Sequence, residues 1–207
     1  MRTSSSTKET IENSFVELFM SLSYSSISVA LICKAAHVSR TTFYDSFSGK
    51  EAVLTKIVED DIVKPLLSIS NNMDMGTIKS APTLLMELIY KNIQHKADFY
   101  LRLNRLDNGA LLQKILTSGF MTLNNEILEK SSISEDEKRY AGFFFASSNA
   151  TLVGHWLSNS LDVTPETLAR FYNKWTMHYW LETYPGKLDW TTNTKGVVVS
   201  VAEKLRC

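Results

Sequence analysis

Two segments with helical apolar spacing meet between Ala36 and Arg40 with almost no chain to separate them. Upstream, Val29, Ile32, Cys33 and Ala36 recur at i, i+3, i+4 and i+7, which is one face of a helix. Downstream, Ser39 is placed to accept a bond from the N–H of Thr42 and so cap a third short helix ending near Phe47. The turn between them is the four residues AHVS. Two short helices joined this tightly, with an amphipathic helix before them, match a helix-turn-helix arrangement.

The downstream helix, within VSRTTFYDSF (Val38 to Phe47), carries two kinds of side chain. Neighbours on a helix sit about 100° apart, so Phe43 and Phe47 share one face while Arg40, Thr41 and Tyr44 share another. The first face folds and the second is free to touch a partner. In a helix-turn-helix that outer face enters the DNA major groove, where an arginine donates to guanine O6 and N7, a threonine methyl meets thymine, and hydroxyls reach phosphates. The N-termini after Ser39 and at Gly49-Lys50 offer free N–H groups to phosphate, with Lys50 as a mobile cation beside the second.

The same periodicity runs through the rest of the chain. Ser6 and Glu9 form a capping box ahead of Ile11, Phe15, Leu18, Phe19 and Leu22. Ser48 and Glu51 form another, opening a helix through Leu54, Ile57, Val58 and Ile62 that Pro65 is expected to kink or end. NNMDMG, residues 71–76, reads as a seam. Beyond it the pattern predicts helices at about 81–95, 97–107, 110–130, 135–159 and 165–184. Asn108-Gly109 is a turn, and helix starts fall at Ser134 with Glu137 and at Thr164-Pro165. The tail 185–207 is left open between strand, arm and helix.

With 44% hydrophobic and 21% charged residues among 207, the chain has the composition of an ordinary globular protein. No apolar run approaches the ~20 residues of a membrane span and the start lacks a secretory signal, so a cytoplasmic location is expected. Cys33 and Cys207 are too few for a disulfide framework. Net charge is zero, and residues 1–64 hold seven Lys/Arg against eight Asp/Glu, so any electrostatic footprint on DNA is small and local. Between Lys34 and Lys50 three basic residues face the one acid Asp45.

From Thr7 to about Ile62, and most clearly in ISVALICKAAHVSRTTFYDSFSGKEAVL, the chain resembles the DNA-binding domain of TetR-family transcriptional regulators. The resemblance implies that Thr41, Thr42 and Tyr44 contact groove or phosphate, that Phe43 and Phe47 are core, and that Lys50 binds backbone phosphate. Ser28, His37, Ser39 and Arg40 complete the candidate DNA-contacting set. His37 stands where the family usually has glycine, so this turn is expected to need a positive φ. The segment FFFASSNATLVGHWLSNSLDVTPETLARFY is similar to the last two helices of the subgroup that includes regulators of dihydroxyacetone kinase operons.

The expected fold is therefore all-α. A helix-turn-helix DNA-binding domain at 1–50 is linked by a helix at 49–70 to an effector-binding and dimerisation domain at 51–207. Leu168, Phe171, Tyr172, Trp175 and Tyr179 line one face of the last helix, whose other side is also largely apolar, so both sides need covering. Paired with Leu152 and Trp156, and with His178, this helix forms a homodimer contact or is buried in a monomer. The aromatics Phe99, Tyr100, Phe120, Phe143 and Phe144, with Asn149, line an effector cavity or are simply core. His155 and His178 lack a third metal ligand at suitable spacing. The acidic run Glu59, Asp60, Asp61 reads as a solvated face.

Catalytic signatures are missing: there is no G-x-S-x-G, phosphate-cradling glycine loop, H-E-x-x-H or C-x-x-C. The expected partners are a palindromic double-stranded DNA operator, a second copy and a small-molecule effector, with no cofactor, metal or membrane. Repression is the expected output, with an activator or co-regulator acting through a protein partner, and a helical protein-interaction module that does not bind DNA, as the alternatives.

Overall fold

The computed structural model describes residues 6–65, 82–129 and 133–183. The seam at 71–76 and the tail from 185 lie outside them, as do the side chains of His178 and Tyr179. The described residues are helices and their connections.

α1 (Thr7–Ser21) is capped by Ser6, whose hydroxyl accepts from Glu9 N–H, and it buries Ile11, Phe15 and Phe19. α2 (Val29–Ala35) is capped by Ser28 and α3 (Arg40–Tyr44) by Ser39, each accepting the N–H three residues on. These N-terminal bonds satisfy donors that short helices otherwise leave open. The buried faces of all three helices converge on Phe15, Ile32, Phe43 and Phe47.

α4 (Lys50–Val58) opens one residue later than the sequence pattern suggests. Gly49 is its N-cap and no side chain caps it; Ser48 falls outside the helix, and Glu51 instead pairs with Lys114 at 2.8 Å. The regular α-helix stops at Val58, seven residues before Pro65. The chain widens into a π turn at Glu59–Val63, where Lys64 N–H bonds to Glu59 O, and helical structure continues through Pro65. A proline ring crowds the carbonyl four residues before it and brings no N–H to it. That carbonyl belongs to Asp61, and it accepts from the Asn92 side chain at 3.1 Å.

α5 (Pro82–His95) and α6 (Ala97–Asn104) follow, then a 3-10 turn at Leu106–Gly109 in which Asp107, Asn108 and Gly109 all have positive φ. The helix expected at 97–107 therefore stops at Asn104, and the Asn108-Gly109 turn is the reason. α7 (Ala110–Glu129) and α8 (Glu135–Ser158) pack antiparallel, with Asn124 bonded to Gly142 O and Gln113 to the Thr151 hydroxyl. A full capping box at Ser134 and Glu137 starts α8. α9 (Pro165–Thr183) begins at Pro165 and lies against α5, tied by Glu166 to Lys91 at 2.9 Å.

The apolar core is continuous from Ile11 to Ala169. Phe19 of α1 meets Phe99 of α6 edge to face at 5.3 Å, and the π turn packs on α5 and α7. At the second contact Gly119 lies so close to Val63 that a Cβ there would sit 2.8 Å from Val63 Cγ2.

Candidate nucleic-acid interface

The corner between α2 and α3 is closed by main-chain bonds. His37 N–H donates to Lys34 O at 3.4 Å and Val38 N–H to Cys33 O at 3.0 Å, the paired pattern of a Schellman ending. The pattern needs a left-handed residue, and His37 takes it at φ 53°. With no Cβ-free residue available, the turn carries the strain of an L side chain in that region.

Behind the corner, α3 is seated by Phe43, which is fully buried, meets Tyr44 edge to face at 5.5 Å, and lies 5.9 Å from Phe47. Tyr44 is 58% exposed, so one of the adjacent rings anchors the helix and the other projects from it. Arg40 and Thr41 are exposed beside Tyr44, and among the described residues no carboxylate pairs with Arg40. Ser39 and Thr42 share a hydroxyl contact at 2.8 Å besides the capping bond, so these two hydroxyls already serve the helix start. Ser28 and His37 are exposed on the same module, with Ser28 engaged as the cap of α2. Lys34, exposed near the end of α2, adds a cation that the sequence reading counted but did not place in the set.

Lys50 is not the mobile cation expected of it. Its ammonium donates to Tyr24 O at 2.7 Å and Ile27 O at 2.9 Å and sits 4.1 Å from the centre of the Tyr24 ring. Burial, and to a smaller degree Glu51, raises the Tyr24 phenol above its ordinary pKa, so the ring under the ammonium stays neutral.

A model of bacterial regulatory proteins of the tetR family matches residues 16–57, and a model of a transcriptional regulator C-terminal region matches residues 82–177. The chain belongs to the tetR family. It is 32% identical over 92 residues to the HTH-type dhaKLM operon transcriptional activator DhaS of Lactococcus lactis subsp. lactis (strain IL1403). That match takes in 44% of this chain and 48% of the relative, so the chain spans about half the length of the curated relative it matches. Among solved structures it is similar to a dihydroxyacetone kinase operon activator DhaS, with TM-score 0.57 and 18% identity, covering 84% of this chain and 95% of that one. It is also similar to the fatty acid degradation regulator FadR of Bacillus halodurans, with TM-score 0.56 and 20% identity over 84% and 95%. Likenesses at this identity establish the fold of this tetR-family member.

In the C-terminal region the structure separates residues the sequence reading had grouped. Phe99, Tyr100 and Phe120 are packed in the core, and Tyr100, with no accessible surface, offers nothing to a ligand. Phe143 and Phe144 point the other way, 58% and 59% exposed on α8. The six candidate lining residues therefore do not enclose one cavity. The α8 face that buries Phe145, Ala146 and Asn149 cannot also bury the two positions just before them. Asn149 is buried, with its oxygen accepting from Tyr90 OH at 2.7 Å and its amide 3.2 Å from the Met86 sulfur. Burial also drives the Tyr90 phenol far above its usual pKa, so it remains a donor.

Trp156 is likewise core and not interface. It is 1% exposed, and its indole N–H donates to Val163 O at 2.9 Å across the turn into α9. Of the remaining interface candidates, Leu152 and Phe171 are half-buried, while Trp175 is 60% exposed and stacked on Phe171 at 5.7 Å. His155 contacts Asn159, and among the described residues no group of three could hold a metal. No described helix is long and apolar enough to cross a membrane.

Asp61 overturns the reading of its acidic run as solvated. Its carboxylate is bonded to Lys96 at 2.5 Å and accepts from Tyr100 OH at 3.2 Å, joining the π turn to α6. Asp60 is held by Lys56 and Lys64; burial pushes its pKa up, but their hydrogen bonds and charges together pull it below the ordinary value. The signal available in the sequence was Pro65, four residues after Asp61.

Proposed function

We propose that the chain is a DNA-binding transcriptional regulator in which two copies present their α3 helices to a palindromic operator. Half-sites lie about one helical turn, ~34 to 36 Å, or somewhat more apart. The observation that carries this reading is the outer face of α3: Arg40, Thr41 and Tyr44 are exposed, and no carboxylate among the described residues pairs with Arg40, on a helix whose opposite face is locked by Phe43 and Phe47. An unpaired guanidinium beside a threonine and an aromatic hydroxyl is the chemistry that reads base edges.

Function divides along the chain, with DNA contact in residues 1–50, effector binding and dimerisation in 51–207, and the helix at 49–70 between them. Trp175, 60% exposed and stacked on the half-buried Phe171, supports the dimer contact, because a large apolar ring left facing solvent is surface that a second copy can cover. A small molecule bound in the C-terminal bundle shifts the spacing of the two α3 helices by its different affinity for two states. Repression follows most directly from operator occupancy. Activation is the second reading, favoured because the curated relative is itself an operon activator. Either output places the protein in the cytoplasm with its DNA.

Selection of bound sequences from a random duplex pool in modest salt tests the reading. An enriched palindrome is expected. A pool that stays random would leave a helical interaction module without DNA binding.

A further inference from the structure

Leu22 to Ile27 joins α1 to α2 and contains the 3-10 turn Tyr24–Ser26. It reads as a serine-rich breaker, yet it is tightly held. Ser23 Oγ lies 2.6 Å from Ser26 Oγ and 3.2 Å from Ser25 Oγ. Three of its main-chain carbonyls are taken by cations from elsewhere. Lys50, at the start of α4, donates to Tyr24 O and Ile27 O, and Arg102 of α6 donates to Leu22 O at 2.8 Å. Each cation also lies against a ring: Lys50 over Tyr24, and the Arg102 guanidinium 5.6 Å from the centre of Phe19. Charge-assisted bonds to carbonyls, backed by cation–π contact, hold a segment more firmly than neutral bonds do.

The strap ends at Ile27, which is buried, and the next residue is Ser28, the cap that starts α2. α2 in turn carries the corner that sets α3. An ammonium already shared between two carbonyls and a ring would have to give them up to follow a phosphate.

We propose that Lys50 is a positioning residue for DNA recognition and not a phosphate ligand: with Arg102 it clamps the strap Leu22–Ile27 and fixes where α2, and hence α3, stands. This rests on the DNA-binding reading above. The contact that the chain's resemblance assigns to Lys50 then falls to other groups. Arg102 comes from the bundle, so the clamp also gives the C-terminal region a direct hold on the module that carries α3.

The test compares wild type with Lys50→Met, Arg102→Met and Tyr24→Leu, the last of which removes the ring and keeps the ammonium. Thermal unfolding is followed by circular dichroism. Binding to a duplex of arbitrary sequence is followed across a salt series, at a temperature where every variant compared is folded. The clamp predicts a lower unfolding midpoint and about tenfold weaker binding for each variant, with the slope of log K against log salt unchanged. A slope reduced by about 0.9 in Lys50→Met marks a lost phosphate contact and overturns the proposal, whatever the midpoint does. Binding unchanged in the folded variants makes Lys50 a stabilising contact only and overturns it equally. Should Lys50→Met fail to fold, Arg102→Met and Tyr24→Leu decide by the same two readouts. Wild type that binds no duplex would end the DNA-binding reading, while the midpoints would still report the clamp.

Discussion

His37 stores strain at the corner that presents α3. Its φ of 53° lies where an L residue pays for its Cβ and glycine does not. His37→Gly is therefore expected to raise stability by up to about 1 kcal/mol, the gain being cut by glycine's greater freedom in the unfolded chain. Urea unfolding checks it, read as a higher midpoint at unchanged slope. The opposite situation holds at Gly119, where there is no room for a Cβ beside Val63. Gly119→Ala should cost ~1 to 3 kcal/mol by overpacking, measured the same way. The strain at His37 was legible through the resemblance, because His37 stands where the family usually has glycine. The closeness at Gly119 was not, since nothing in the pattern of α7 shows which helix will cross it.

Helix starts were the most legible elements. Ser6, Ser39 and Ser134 each cap the helix that follows, because capping depends on residues only three apart. What escaped was wherever a distant partner decided the outcome. The Ser48 cap gives way to a helix that opens at Lys50 with Glu51 turned to Lys114. The run Glu59–Asp61 looks solvated until Asn92, Lys96 and Tyr100 arrive from α5 and α6. The α5–α9 contact offers a pH-dependent test. Hydrogen bonding from Lys91 first, then from main-chain N–H and Thr164, lowers the Glu166 pKa to about 2. A carboxylate whose pKa is lowered on folding stabilises the fold above its unfolded pKa, ~4.3, and loses that contribution as pH falls through the folded value. The melting temperatures of wild type and Glu166→Gln should therefore differ at neutral pH and converge between about pH 4 and 2. Because Glu166 is solvent-exposed the gap is small, and it narrows further in high salt.

At the scale of the whole molecule, the all-α plan and the helix-turn-helix were readable because both rest on periodicity and capping. The C-terminal sites were not. Phe143, Phe144 and Phe145 are consecutive, and only the packing of α8 decides that the third goes inward and the first two outward. That outcome means that the six candidate residues do not line one effector cavity, and it leaves Leu152, Phe171 and Trp175 as the described candidates for the proposed dimer contact. Trp175→Glu is expected to convert dimer to monomer in sedimentation while leaving the helical circular dichroism spectrum intact. With a net charge of zero the proposed dimer cannot rely on bulk electrostatics, so the proposed reading of DNA rests on a few groups on α3. The most direct test is the affinity of Arg40→Ala for the selected operator and for its single-base variants. A loss of ~1 to 3 kcal/mol on the operator is expected, with relaxed preference at one base pair. An equal loss on every sequence would contradict this, leaving Arg40 as a backbone contact and α3 without its reader.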